Sequence, residues 1–198
     1  MMERRDPTVI GICGSLRDTS RTRIAVSEAL AASAQAGASV ELVDLRSYEL
    51  PSLNATDTEV PDATEFQETV KRADSVLLAT PNYHGSYSGA LKNALDYCGR
   101  DEFAETTVGL LEVAAGTFPG SALIHLRTVS RTLRAWTLPT EVAIPDSHSL
   151  ITDSGIQDAD LAERTRRLGR ELVTYAGVAA YPESNLVAST DTTTQADD

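Results

Sequence analysis

Residues 8–13 read TVIGIC and pass directly into residues 14–22, GSLRDTSRT, ahead of an alanine-rich stretch that runs to Gln35 and meets Gly37. A short apolar run, a small polar turn and then helical spacing of Ile24, Ala31 and Ala34 predict a buried strand, a loop, a helix over 20–35 and a glycine stop. The same alternation continues outward. Residues 40–44 predict a second strand and 63–72 a short helix. SVLLAT at 75–80 is an apolar run stopped by Pro81, the pattern of a central third strand. Residues 88–98 place Leu91, Ala94, Leu95 and Cys98 on one helical face, and TVGLLEVAA at 107–115 predicts the fourth strand. Ala122, Leu126, Val129, Leu133 and Trp136 then share a helical face, residues 140–144 predict a fifth strand, and Leu161, Thr165, Leu168, Leu172 and Ala176 line a final helix. Short strands alternating with helices predict an α/β fold: a five-stranded parallel sheet with helices on both faces.

The 198 residues suit one domain, expected over 1–181. After Tyr181 the chain is Ser, Thr, Asp and Gln with little to bury, so 182–198 is expected to be a disordered acidic tail. The connection over 47–61 is long for a compact domain, a feature common in functional loops. Formal net charge is −12, and only two of the 17 cationic side chains, Lys71 and Lys92, are lysines. The arginines between 164 and 170 alternate with Glu163 and Glu171, which predicts a solvated, ion-paired helix face. With no basic stripe elsewhere, nucleic acid is not an expected partner. An excess of acid with scarce lysine suggests adaptation to concentrated salt, where carboxylate self-repulsion is screened. Cys13 and Cys98 form no CxxC and have no metal-spaced partners, so neither a disulfide framework nor a metal site is expected. No apolar stretch approaches the roughly 20 residues of a membrane span, and MMERRDP lacks a signal-peptide core; the reading is a cytoplasmic protein with no membrane partner.

In an open parallel sheet, ligands lie beyond the carboxyl ends of the strands. Three loops there are unusual. The first, 14–22, combines Gly14 with the hydroxyls of Ser15, Thr19, Ser20 and Thr22 and the guanidinium of Arg17, just before a helix N-terminus. Free N–H groups, the helix dipole and one guanidinium suit a phosphate dianion, although an ordinary hydroxyl cap with an exposed arginine reads equally well. The glycine fingerprint of dinucleotide sites and the Walker lysine are both missing. Cys13 and Arg17 stand too close for a cysteine phosphatase loop. The second loop, PNYHGSYSG at 81–89, can edge or cover a flat polar ring with Asn82, Tyr83 and His84, while Gly85 allows close backbone approach; it is also simply a turn. His125 and His148 read as structural or exposed. The third loop, 115–120, reads AGTFPG.

GSLR at 14–17 with Ser20, followed by PNYHGSYSGALKNALD at 81–96, resembles the two signatures of the NAD(P)H-dependent FMN reductases, over roughly residues 9–145 and including DLRSYELP at 44–51. The resemblance implies a flavodoxin-like three-layer sandwich with one FMN, reduction by NADPH or NADH, and homodimers or homotetramers. It places Ser15, Arg17, Ser20 and Thr22 at the FMN phosphate and Pro81, Asn82, Tyr83, His84, Gly85 and Ser86 along the isoalloxazine. The third loop departs from the family's paired glycines: Gly116 is left to approach the ring, and Phe118 is bulky enough to narrow the acceptor side. No side chain is assigned as catalytic, since the flavin itself carries the hydride. The expected activity is ping-pong reduction of a small acceptor: free flavin, a quinone, an azo compound or a metal oxyanion. The rivals are a flavodoxin-type electron carrier and a binding module that retains the fold without FMN. Lys92 and Asp96, one helical turn apart, are read as an ion pair without a catalytic role.

Overall fold

The computed structural model describes residues 5–54 and 60–177; the expected acidic tail over 182–198 lies outside them. Five strands, β1 (Thr8–Cys13), β2 (Ser39–Asp44), β3 (Ser75–Pro81), β4 (Thr107–Val113) and β5 (Trp136–Ile144), form one sheet in the order β2-β1-β3-β4-β5. Every neighbouring pair is parallel. The chain steps outward from β1 to β2, then returns to the other side of β1 for β3, so strand order reverses between β1 and β3. That reversal leaves the loops following β1 and β3 side by side at the carboxyl edge.

The helices are α1 (Arg21–Gln35), α2 (Pro61–Lys71), α3 (Gly89–Asp96), α4 (Arg100–Phe103), α5 (Ser121–Thr132), α6 (Ser147–Leu150) and α7 (Ala159–Thr174). Successive strand side chains point to opposite faces, and the core divides accordingly. Ile10, Ile12, Val76, Leu78, Val108 and Leu110 pack with Phe66, Leu91, Leu95, Phe103 and Leu126 of α2 to α5. Val9, Leu77, Leu111 and Val113 pack on the other face with Ala25, Val26, Ala29 and Leu30 of α1 and Leu168 and Leu172 of α7. The result is the expected flavodoxin-like three-layer sandwich.

Two expectations need correction. Trp136 does not continue the helix before it: α5 ends at Thr132, and Trp136 opens β5, four residues earlier than the strand predicted over 140–144. Arg134 turns the chain with a φ of 64° after α5. Pro139 hid the strand because it cannot donate to a ladder, but β5 is the edge of the sheet, where proline is tolerated. A bulge sets Leu138, Pro139 and Thr140 against Gly109 alone. The fourth strand also stops at Val113 rather than at residue 115. A two-stranded hairpin, β6 (Ile151–Thr152) with β7 (Gly155–Ile156), and the single turns α4 and α6 carried no periodic signal that the sequence reading used.

α1 and α7 cross closely enough that Ser33 Oγ donates to the Gly169 carbonyl at 2.8 Å. A Cβ at Gly169 would fall 2.1 Å from the Ala29 carbonyl oxygen, which is backbone and cannot swing aside. Gly169→Ala should therefore push the two helices apart and cost about 2–3 kcal/mol, toward the upper part of the overpacking range. Urea unfolding checks this; an unshifted midpoint would show that the crossing is not tight.

Candidate functional site

The loop after β1 is built on α1. Ser20 is the N-cap, its Oγ accepting from Arg23 N at 3.1 Å, which leaves the first backbone N–H groups of the helix for another acceptor. Ser15, Ser20 and Thr22 are buried beneath this loop, and Arg17 is exposed above it, its guanidinium unpaired among the described residues. Arg23, which the sequence reading passed over, holds the loop in shape. Its guanidinium donates to the carbonyls of Asp18 at 3.0 Å and Arg17 at 3.1 Å and to Asp44 Oδ2 at 2.9 Å. Drawing those carbonyls toward Arg23 fixes the path of the loop around the helix end. Asp44 also accepts from Arg46, which reaches on to Asp18 Oδ1 at 3.1 Å. Burial alone would push the Asp44 carboxyl up, but hydrogen bonds from Arg46 and the charges of Arg23 and Arg46 outweigh it and hold the carboxyl below its ordinary value.

Arg21, the first residue of α1, has its Nε buried without a partner, the one such side-chain atom among the described residues. A buried donor left unpaired costs free energy, so an acceptor is missing from this picture. A phosphate at the helix end supplies one. With Arg17, three hydroxyls and open N–H groups beside it, the donor set fits a phosphate dianion.

The loop after β3 is a tight turn. Tyr83 N donates to Ser86 O at 2.9 Å and Ser86 N returns to Tyr83 O at 3.1 Å. Its two central residues, His84 and Gly85, have φ of 54° and 79°, the signature of a type I′ turn, which explains the glycine. His84 holds a left-handed conformation that non-glycine residues adopt uncommonly, a strain of the kind concentrated at ligand sites. Asn82 uses its amide to brace this turn: Oδ1 accepts from Gly85 N at 3.0 Å, and Nδ2 donates to Glu112 Oε1. Ser86 Oγ lies 3.0 Å from His125 Nδ1, and the His125 ring stands edge-on to Tyr87. His125 thus joins the second loop from α5, a contact between residues 39 apart that spacing could not show.

The two loops are tied together. Ser88 caps α3 and donates to the Gly14 carbonyl at 2.6 Å, while Gly14 N donates to Ala79 O at 2.8 Å. A cleft of ≈ 110 Å³ between them is lined by Ser15, Arg17, Ser20, Thr22, Pro81, Asn82 and Tyr83, with Arg21, Ala115 and His148. So seven of the expected residues converge. His84, Gly85 and Ser86 form the adjoining turn rather than this lining. A cleft this size is smaller than the roughly 300–1,000 Å³ of a small-molecule site, so a planar ring would lie over the open rim near Tyr83 and His84. A larger groove of ≈ 930 Å³ between α1 and the β6–β7 hairpin shares Thr19, Ser20, Arg21 and His148. Its wall carries the Arg166–Glu28 ion pair at 2.8 Å and offers no aromatic platform, so the smaller cleft fits the chemistry better.

The third loop behaves differently. Gly116 is exposed, its carbonyl accepts from Asp146 N at 3.1 Å, and a Cβ there would meet nothing within 4 Å. Phe118 is 95% exposed and is not among the residues that line the cleft. The Lys92–Asp96 pair is present on the surface of α3. Burial raises the thiols of both cysteines, Cys98 to about 12, which makes them inert packing groups. Among the described residues no cluster of metal-ligating side chains occurs.

Residues 7–149 match the model of a family described as NADPH-dependent FMN reductase. The chain belongs to that family. It is 37% identical over 134 residues, 66% of this chain and 70% of the relative, to an FMN-dependent NADPH-azoreductase of Staphylococcus haemolyticus. A Staphylococcus aureus protein of the same name is 34% identical over 151 residues, covering 71% of this chain and 80% of the relative. Among solved structures, the NAD(P)H:acceptor oxidoreductase of Paracoccus denitrificans superposes with a TM-score of 0.73 at 20% identity, over 86% of this chain and 97% of that one. That likeness bears on the fold alone. Family membership makes this chain an oxidoreductase, with FMN as its flavin and NAD(P)H as its reductant.

The Asp44 network gives a pH prediction. A carboxyl whose folded pKa lies below its unfolded value contributes stability that is present above the unfolded value and is lost as pH falls through the folded one. Against the ordinary value of 3.8, Asp44 should stabilise the fold fully at neutral pH and lose that contribution as the pH falls below 3.8. The stability gap between the parent and Asp44→Asn should close over that interval; a constant gap would mean that the charge of Asp44 is not what stabilises the loop.

Proposed function

We propose that this chain binds FMN with its phosphate at the N-terminus of α1 and its ring along residues 81–86, and reduces a small acceptor with electrons from NAD(P)H. The observation that supports this most is the unpartnered Arg21 Nε among Arg17, Ser15, Ser20 and Thr22, a set of donors that lacks its anion. When bound, FMN supplies hydride acceptance and electron transfer. The protein's part is then binding, orientation and solvent control. Ser20 and the first N–H groups of α1 meet the phosphate, and Arg17 and Arg21 balance its two charges. Asn82 fixes the His84–Gly85 turn, so the ring edge meets backbone groups that need no reorganisation.

Reductant and acceptor occupying one face in turn implies ping-pong kinetics. Relatives named as azoreductases favour azo compounds as acceptors, with quinones, free flavin and metal oxyanions as the other classes. The same reading includes a cytoplasmic homodimer or homotetramer and an acidic surface suited to concentrated salt.

An absorbance spectrum of the protein with FMN, taken anaerobically before and after NADPH or NADH, tests the proposal. Bleaching of bound flavin, reversed by an azo dye or a quinone, is expected. Bound flavin that neither nucleotide bleaches would point to an electron carrier of flavodoxin type, and no uptake of FMN would overturn the assignment. Arg17→Ala should weaken FMN by about 1.5–3 kcal/mol, the worth of a charge-assisted hydrogen bond, and leave riboflavin, which lacks the phosphate, unaffected. Equal losses for both ligands in a fluorescence titration would place the phosphate elsewhere.

A further inference from the structure

Glu112, near the end of β4, is the one residue of a charged type (Asp, Glu, Lys or Arg) that is completely buried among the described residues, at 0% exposure. Burying a carboxylate is costly, and an apolar residue of similar volume would serve a central strand better. Its surroundings explain the choice. Oε1 accepts from Asn82 Nδ2 of the second loop. Oε2 accepts from Gly120 N at 2.9 Å and, at a longer 3.4 Å, from Leu123 N, where the third loop enters α5. Three donors from two separate loops therefore converge on one carboxylate. No neutral side chain of this size can accept from both directions: glutamine has a single acceptor oxygen and would present N–H groups to one set of donors.

We propose that Glu112 is a positioning residue for the flavin reaction, locking the 82–86 turn and the 115–120 loop into one rigid unit at the carboxyl edge of the sheet. The inference rests on the flavin reading above. Glu112 acts through Asn82, whose Oδ1 in turn holds Gly85 N, so the left-handed His84–Gly85 pair is two hydrogen bonds from the buried charge. On the other side it fixes the loop carrying Phe118. Movement of either loop is thereby felt by the other. A negative charge hydrogen-bonded to the turn that is proposed to hold the ring would also disfavour added electron density there and lower the ring's reduction potential.

Glu112→Gln, nearly isosteric, is the direct test. In the protein without added flavin, amide exchange should accelerate either at Gly85 or at Gly120 and Leu123, according to which way the amide turns. FMN Kd should rise at least tenfold, and the midpoint potential of bound FMN should move upward. Glu112→Asp, which keeps the charge but is one methylene too short to reach both loops, should retain most of the potential and still speed exchange; it carries the test if the glutamine variant does not fold. Parent-like exchange, affinity and potential in a folded variant would overturn the proposal. If the parent itself binds no FMN, the flavin reading fails, whereas a parent that binds FMN and a variant that binds it equally well sink only the role of Glu112.

Discussion

The hydrogen bond from Ser88 Oγ to the Gly14 carbonyl joins the two halves of the site, and strand order makes it possible. Because β1 and β3 are neighbours although β2 separates them in the chain, the loop leaving β1 and the helix following β3 begin within bonding distance. Gly14 is held twice, its N–H by Ala79 and its carbonyl by Ser88, while Ser88 also caps α3 and receives support from Thr80 Oγ1 through its own N–H at 2.9 Å. All of these atoms are buried, where a missing partner would be expensive, so the set is satisfied together or not at all. The phosphate-type loop and the ring-type loop are therefore one construction. Their relative position is fixed by the backbone of the sheet rather than by flexible side chains, which is where a site that must hold two ends of one ligand gains its precision.

What the sequence revealed follows from the range of each signal. Ser20 before α1, the turn within 81–89 and the periodic apolar faces of α3, α5 and α7 are local, and local chemistry dictates each of them, whereas Ala31 and Ala34 of α1 are exposed. The residues proposed to reach a ligand were visible for the same reason, as hydroxyls and an arginine packed into residues 14–22. Trp136 was misplaced because its spacing continues a helical face, and only the edge position of β5, a tertiary fact, allows Pro139 inside a strand. Arg23, Glu112 and His125 stayed hidden. Each works through a partner 21 to 39 residues away, counting Arg23 to Asp44, Glu112 to Asn82 and His125 to Ser86, and no periodicity encodes such pairs. Glu112 within LLEVA is a charge in a buried strand, which requires a partner, but the sequence does not say which.

The electrostatics of α1 bind the loop and its ligand into one argument. The first turn of this helix has no acidic residue and instead carries Arg21 and Arg23, with Arg17 just ahead. That is the reverse of what a helix dipole favours, since positive charge at the N-terminus is repelled by the positive end. Arg23 is paired with Asp44 and turned toward the loop carbonyls of Arg17 and Asp18. Arg17 and Arg21 remain, one exposed and one with its Nε buried and unpaired, together with the dipole itself. Two uncompensated positive charges at one helix end match the dianion of a phosphate monoester. A phosphate bound there, as proposed, would repair an unfavourable arrangement already present in the fold, so that its affinity and the stability of the loop would be two aspects of one interaction. On the proposed placement, a neutral flavin lacking the phosphate would leave the helix end as it is, and the charge that binds the cofactor would stand apart from the ring that carries the chemistry.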